Sequence, residues 1–168
     1  MKRYTFSLRG SRPLNKPYHF KGAGLPNVYL RSGVKIEKDP DYGELVTIER
    51  MPELFLAIAF AIVAKSDPQT GKPEPLTGGE MRFLRKRMEL RQADLAQDLR
   101  VTEQTVANYE KGKTEPGPAD LALRFLYLAP VAEDEEIADD LRERAWDLML
   151  PSRHAAGRAA GAWQEARA

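Results

Sequence analysis

The sequence predicts an α+β chain: a small N-terminal antiparallel β-sheet with a covering helix, followed by an all-α domain of about five helices. Three observations carry this reading. The first 50 residues hold short β-type runs separated by turns that bear Gly or Pro. Residues 54–64 form an eleven-residue apolar run. From Thr77 onward, helix caps and helix stops recur at helical spacings.

Residues 27–31 and 34–38 are β-type runs joined by Ser32-Gly33, a connection that reads as a hairpin. Residues 39–43 (Asp-Pro-Asp-Tyr-Gly) form a turn cluster, and residues 44–49 offer a third strand through Leu45, Val46 and Ile48. Residues 4–8 and 18–20 are weaker strand signals. Three strands need a covering layer. Pro52 suits the first turn of a helix, where its missing N–H costs nothing. The run behind it is apolar on nearly every face, and such a helix is buried on more than one side. One face suits the sheet. The other takes either the next domain or another copy of the chain.

Residues 66–75 contain three prolines and one glycine, which stop helix and strand alike and mark a stiff linker. The expected organisation is a β-rich domain over 1–65, a linker over 66–76, a helical domain over 77–150 and a tail over 151–168. Thr77-Gly78-Gly79-Glu80 reads as a capping box, with Leu76 and Met81 placed as a hydrophobic staple. The helix behind it runs to about Met88. A short helix covers 92–99, Thr102 caps a third over 103–111, and Gly112 ends that one. Pro118 opens a fourth helix through Leu128, stopped by Pro130. A fifth is expected over 134–150, with Ile137, Leu141, Ala145 and Leu148 on one face and Pro151 closing it. The Ala-, Arg- and Gly-rich tail reads as a frayed helix or an unstructured end.

Composition excludes several kinds of function. Without cysteine there is no disulfide, thiolate metal site or cysteine nucleophile, and His19 and His154 alone do not make a histidine-rich metal site. No metal or cofactor is expected. No nucleophile–base set or phosphate loop stands out, so the chain does not read as an enzyme, and no catalytic residue is assigned. The apolar run is about half of what a membrane span needs, and no secretory signal pattern opens the chain. A soluble, cytoplasmic protein is expected. The 26 Lys+Arg against 25 Asp+Glu rule out a uniformly basic nucleic-acid coat. Charge is nonetheless polarised: residues 1–38 carry nine positive side chains against Glu37, and residues 131–147 carry eight acids against Arg142 and Arg144. Either the two ends meet different partners or they neutralise each other. Asp134, Glu135, Asp139 and Asp140 read as a solvated helix face before they read as a cation site. His19 lacks an obvious partner for general-base work. Tyr18, Phe20, Tyr29 and Tyr42 read as sheet packing, Trp146 as core of the last helix, and Trp163 as a docking anchor or an exposed side chain.

The second and third helices form a helix-turn-helix pattern. Ala96 lies where two helices cross and only a small side chain fits. Leu95, Leu99, Val101 and Val106 fill the core beneath. The three-residue turn Arg100-Val101-Thr102 sets the two short helices steeply to each other. The third helix then projects Glu103, Gln104, Thr105, Asn108 and Lys111 outward. Arg82 and Arg85, Gln92-Ala93-Asp94-Leu95-Ala96, Leu99, Val101, Thr105-Val106, Asn108-Tyr109-Glu110, Gly112 and Pro116 together resemble the Xre/Cro-type helix-turn-helix regulators, over about residues 77–129. Two positions depart from that pattern. Arg100 stands where the family has a turn glycine, at a left-handed cost on the order of 1 kcal/mol. Arg91 stands where the family has a small hydroxyl cap.

The resemblance implies a sequence-specific transcriptional regulator, a repressor that binds an inverted repeat in double-stranded DNA as a homodimer. Glu103, Gln104, Thr105 and Asn108 are then the base readers, since Gln and Asn pair bidentately with adenine and Glu accepts from cytosine. Arg91, Gln92, Lys111 and Lys113 are the phosphate contacts, and Arg85 with Glu110 forms a structural ion pair. Tyr18-His19-Phe20, Gly24-Leu25, Asn27-Val28-Tyr29-Leu30 and Gly33 are similar to a segment of MqsA-type antitoxins, without the zinc-binding cysteines of that family. This second resemblance implies an alternative, an antitoxin that binds a protein toxin through its N-terminal domain and represses its own operon.

Overall fold

The computed structural model describes residues 2–67, 69–131 and 163–165. In chain order it has β1 (Tyr4–Leu8), β2 (Tyr18–His19), β3 (Val28–Leu30), β4 (Val34–Asp39) and β5 (Gly43–Ile48). Then come α1 (Met51–Val63), α2 (Gly78–Arg87), α3 (Gln92–Asp98), α4 (Glu103–Glu110), α5 (Pro118–Val131) and β6 (Trp163–Glu165). This is an α+β layout. The helix expected over 134–150, with its acidic cluster, Trp146 and Pro151, lies outside the described residues, as do His154 and most of the tail. Where the tail is described, residues 163–165 form a strand, not a helix or an unstructured end. The chain divides into two compact units. One holds β1–β5, α1 as far as Ala61, and β6; the other begins at Ile62 and holds α2–α5.

In the first unit four strands make a mixed sheet in the order β2-β3-β1-β6. β1 runs parallel to β3, in the register Tyr4↔Val28 and Phe6↔Leu30, while β2 and β6 pair antiparallel with β3 and β1. Period-two alternation puts Tyr4, Phe6, Leu8, Val28 and Leu30 inside. The ring of Phe55 on α1 meets Phe20, centroids 5.9 Å apart. Residues 58–63 of α1 are all buried, as a helix apolar on every face requires.

Two expectations are corrected here. The sheet is not purely antiparallel, and Ser32-Gly33 is not a hairpin turn between β3 and β4. The Ser32 hydroxyl is buried, accepts the Leu8 N–H at 2.8 Å and donates to the Leu8 carbonyl at 3.1 Å. A side chain thus takes the place of the next ladder partner, and the first sheet ends. Gly33, at φ 72°, turns the chain away, with its N–H on Ser11 Oγ at 3.1 Å. Among the described residues β4 pairs with β5 alone, as a separate two-stranded sheet. The turn cluster closes it: Asp39 Oδ1 accepts the N–H groups of Asp41 and Tyr42, both at 2.8 Å, and Gly43 adopts φ 80°.

In the second unit the capping box forms. Thr77 Oγ1 accepts the Glu80 N–H at 3.3 Å, and Glu80 Oε2 accepts the Thr77 N–H at 2.7 Å. Thr102 Oγ1 caps α4 by accepting the Thr105 N–H at 3.1 Å. Met81, Leu84, Leu95, Ala96, Val106 and Leu123 make the core, with Leu99 and Val101 half-buried at its edge. α5 runs one residue past Pro130. At its described residues the proline-rich stretch carries local hydrogen bonds and is tied to α5. Ser66 bridges Pro73, and Asp67 Oδ1 accepts the N–H groups of Gln69 and Thr70 at 2.7 and 2.9 Å. The reason is a buried guanidinium. Arg124 donates to the carbonyls of Val63 (2.7 Å), Lys65 (3.2 Å) and Glu74 (2.6 Å), and to Asp120 at 2.6 Å. Asp120 in turn accepts the Leu76 N–H at 2.5 Å, and the buried Lys65 ammonium donates to Glu80 at 2.8 Å. Among the described residues, no buried side-chain nitrogen or oxygen lacks a hydrogen-bond partner.

Candidate nucleic-acid interface

Three helix ends in the second unit use one device, and that device orients α3 and α4. At the end of α3, Arg100 N–H donates to Gln97 and Val101 N–H to Ala96. This is the 5→2 and 6→1 pair of a Schellman stop, which needs a left-handed residue between. Arg100 supplies it at φ 55°. The end of α2 repeats the device with Glu89 at φ 58°, through Glu89 N–H to Lys86 and Leu90 N–H to Arg85. The end of α4 repeats it with Gly112 at φ 67°. Glycine is the ordinary solution because it meets no Cβ penalty; only the third position has it.

Beneath the turn lies one carboxylate. The Glu110 side chain is 1% exposed, and Arg85 grips it with two bonds, Nε to Oε1 at 2.5 Å and Nη2 to Oε2 at 3.1 Å. Gln92 Nε2 donates to Oε2 at 2.8 Å and Arg82 Nε at 3.3 Å, while the third nitrogen of Arg85 holds the Leu90 carbonyl at 2.7 Å. Burial pushes the Glu110 pKa up, but these hydrogen bonds and the Arg85 charge outweigh burial and hold it below its ordinary value. The Glu110 carboxylate form is thereby favoured, and α2, α3 and α4 are tied at one point.

A residue with no signature in the sequence tightens the same junction. A Cβ built on Gly78 would stand 2.5 Å from the carbonyl oxygens of both Tyr109 and Glu110. The start of α2 therefore passes against the end of α4 with backbone on backbone. Gly78 has an ordinary φ, so only the packing demands glycine, and a single sequence does not display that.

The solvent side of α4 carries the other expected residues. Glu103 and Gln104 are exposed, and Thr105 and Asn108 half-buried. Gln104 Nε2 donates to Asn108 Oδ1 at 3.1 Å, so the two amides lie one above the other on one face. The Thr105 hydroxyl meets that of Thr102 at 2.8 Å. Lys111 and Lys113 are exposed just past the helix end. Arg91 lies in water at the start of α3 and clamps Asp94 with two bonds of 2.9 and 2.8 Å. That contact, with the Arg91 N–H, holds the Asp94 pKa at about 2. Gln92 opens α3 as expected, and its side-chain amide turns inward to donate to Glu110 at 2.8 Å. Among the described residues no group of three or more His, Asp or Glu has a metal-binding arrangement, and no helix is long and apolar enough to cross a membrane.

Residues 81–123 match the model of the helix-turn-helix family, of the Xre/Cro type. The match begins inside α2, spans α3, the left-handed turn and α4, and ends within α5. No curated protein and no solved structure matches the chain.

Proposed function

We propose that this chain, whose residues 81–123 are an Xre/Cro-type helix-turn-helix DNA-binding domain, is a repressor that binds an inverted repeat as a homodimer in the cytoplasm and catalyses no reaction. The observation that carries the reading is the Glu110 junction. It fixes α4 from behind through three side chains and leaves Gln104 and Asn108 together on the outer face. In this reading α4 lies in the major groove. Gln104, Thr105 and Asn108 meet base edges, and Glu103 accepts from cytosine. Lys111, Lys113 and Arg91 meet phosphates, with the backbone N–H of Gln92 beside them. Arg91 is available for this because an exposed ion pair such as its clamp on Asp94 contributes little.

The two sets of residues separate by experiment. Lys113→Ala weakens binding to all sequences and lowers the salt slope by about one. Asn108→Ala costs about 1–3 kcal/mol on the selected operator and relaxes preference at one base pair. Binding is measured on DNA selected by the full-length protein and on scrambled DNA, at two salt concentrations. Wild-type operator affinity in both Asn108→Ala and Gln104→Ala would remove α4 as the reader.

The second reading, an antitoxin that binds a toxin protein through the N-terminal unit, is supported by the similarity of residues 18–33 and by the net basic charge of residues 1–38. Its test is co-expression with the product of any small reading frame beside this gene, with rescue of growth and joint purification expected.

A further inference from the structure

The β4–β5 hairpin is exposed on both faces over most of its length, with Ile36 48%, Leu45 45% and Val46 38% accessible. Two strands alone are marginal in water. The direct bond from Glu49 N–H to the Gly33 carbonyl, at 2.9 Å, fixes the phase of the ladder. Gly33 and Glu49 stand at a hydrogen-bonding position of the ladder, with the Gly33 N–H diverted to Ser11 Oγ, and Lys35↔Thr47 and Glu37↔Leu45 occupy the hydrogen-bonded positions in the same register. Val34, Ile36 and Lys38 therefore point their backbone N–H and C=O groups away from β5. Among the described residues, no hydrogen bond reaches those groups. β4 thus presents a regular, open edge.

We propose that this edge pairs antiparallel with the same edge of a second copy of the chain, Ile36 opposite the partner's Ile36, giving a four-stranded sheet across a two-fold axis. Only one register satisfies both backbone and charge. Val34, Ile36 and Lys38 must face the partner's Lys38, Ile36 and Val34 to use the open backbone groups. The intervening pairs are then Lys35 opposite the partner's Glu37 and Glu37 opposite the partner's Lys35. These are non-hydrogen-bonded positions, where opposite side chains lie closest. Sliding one way sets Lys35 against itself, and sliding the other way sets Glu37 against itself. The free edge of β5 has no such match, since Glu44 is the one charged residue on that strand. Lys35 also touches Glu49 at 2.9 Å, an exposed contact that leaves its ammonium reachable. The proposal rests on the dimeric part of the reading above and gives it a surface; it does not depend on DNA binding.

The full-length protein is measured by sedimentation for mass and by band shift for DNA on the same preparation. A dimer is expected. Lys35→Glu sets Glu against Glu at both pairs and should weaken self-association about tenfold or more. Glu37→Lys should do the same, and the double exchange K35E/E37K should restore it. Because the chain has no cysteine, register is read directly. Lys35→Cys mixed with Glu37→Cys should give at least tenfold more disulfide-linked dimer than either alone. Opposite Cα atoms here are about 4.5 Å apart and diagonal ones about 7–8 Å, and a disulfide spans the first distance and not the second. A monomeric wild type overturns the proposal whether or not it shifts DNA. So does a dimer indifferent to Lys35→Glu, or equal cross-linking of one variant by itself. A monomer that still shifts DNA leaves the regulator reading standing, and a dimer that shifts none removes that reading alone.

Discussion

In the helical unit the side chains of Lys65, Arg124 and Glu110 are 1–2% exposed, and each faces two or more partners within hydrogen-bond or ion-pair distance. In the β4–β5 hairpin Lys35, Glu37 and Lys38 lie in water, and apolar Ile36 and Leu45 lie beside them. The two regions have similar residue types and opposite uses for them. Charges taken out of water must be matched, because the cost of leaving one alone is several kcal/mol. Once matched they act as locators. The Glu110 junction sets where α4 sits, and the Arg124 junction sets where the loop after α1 runs. Charges left in water add little to the fold. They remain free to select a partner, which is the role the hairpin edge suits.

The largest expected effect tests this contrast directly. Glu110→Ala strands the Arg85 guanidinium and should cost about 3–5 kcal/mol. Glu37→Ala, a solvated position, should stay within about 0.5 kcal/mol in fold stability. Urea melts of the two variants beside wild type make the comparison, and similar losses would erase it. The pH dependence has a definite sign. The folded-state pKa of Glu110 is depressed, so its contribution is present above the ordinary carboxylate range and is lost as pH falls through the lowered value. Glu110→Gln should flatten that acid limb of the stability curve, and an unchanged limb would assign it to other carboxylates.

What was legible in the sequence follows the range of the interaction. The Thr77 and Thr102 caps, the short turn between α3 and α4 and the Gly112 stop are settled within a few residues, and local chemistry reveals them. Arg85 and Glu110 are 25 residues apart, and the family pattern alone suggested that they meet. The Arg124 network joins carbonyls 50 to 61 residues away, and no local signal marks it. The parallel pairing of β1 with β3 and the Ser32 hydroxyl that closes their sheet are similarly long-range. A Ser-Gly pair reads as a turn until its hydroxyl is seen on another strand. On the outer side of α4, the shared face of Gln104 and Asn108 follows from helical spacing. The inward turn of Gln92 does not, because it depends on where Glu110 stands.

Glycine sharpens the comparison at a smaller scale. Gly78 in the helical unit and Gly43 in the hairpin are both intolerant of a side chain, for different reasons. At Gly78 the backbone is relaxed and the space is missing, with two carbonyl oxygens 2.5 Å from a Cβ. At Gly43 the space is open and the backbone is left-handed, at φ 80°. Gly78→Ala should therefore cost about 3 kcal/mol, the upper end for overpacking, although Gly→Ala in a helix ordinarily stabilises. Gly43→Ala should cost about 1 kcal/mol from conformation alone. Chemical denaturation of both variants decides, and a stabilising Gly78→Ala would show that α2 and α4 do not approach this closely.

The smallest effect runs in the favourable direction. Arg100 and Glu89 hold left-handed conformations that glycine holds at Gly112 in the same kind of helix stop. Relief of the Cβ penalty should exceed the added freedom of the unfolded chain. Arg100→Gly and Glu89→Gly should each stabilise the protein by about 0.5–1 kcal/mol, and the pair should add, since they sit at different helix ends. Gly112→Arg should lose a similar amount. Thermal melts of the three variants, all without DNA, supply the test. A gain at Glu89 with none at Arg100 would mean that the Arg100 side chain itself contributes to the folded state. Its contribution would then come from an exposed side chain, unlike those of the buried, matched charges of this unit.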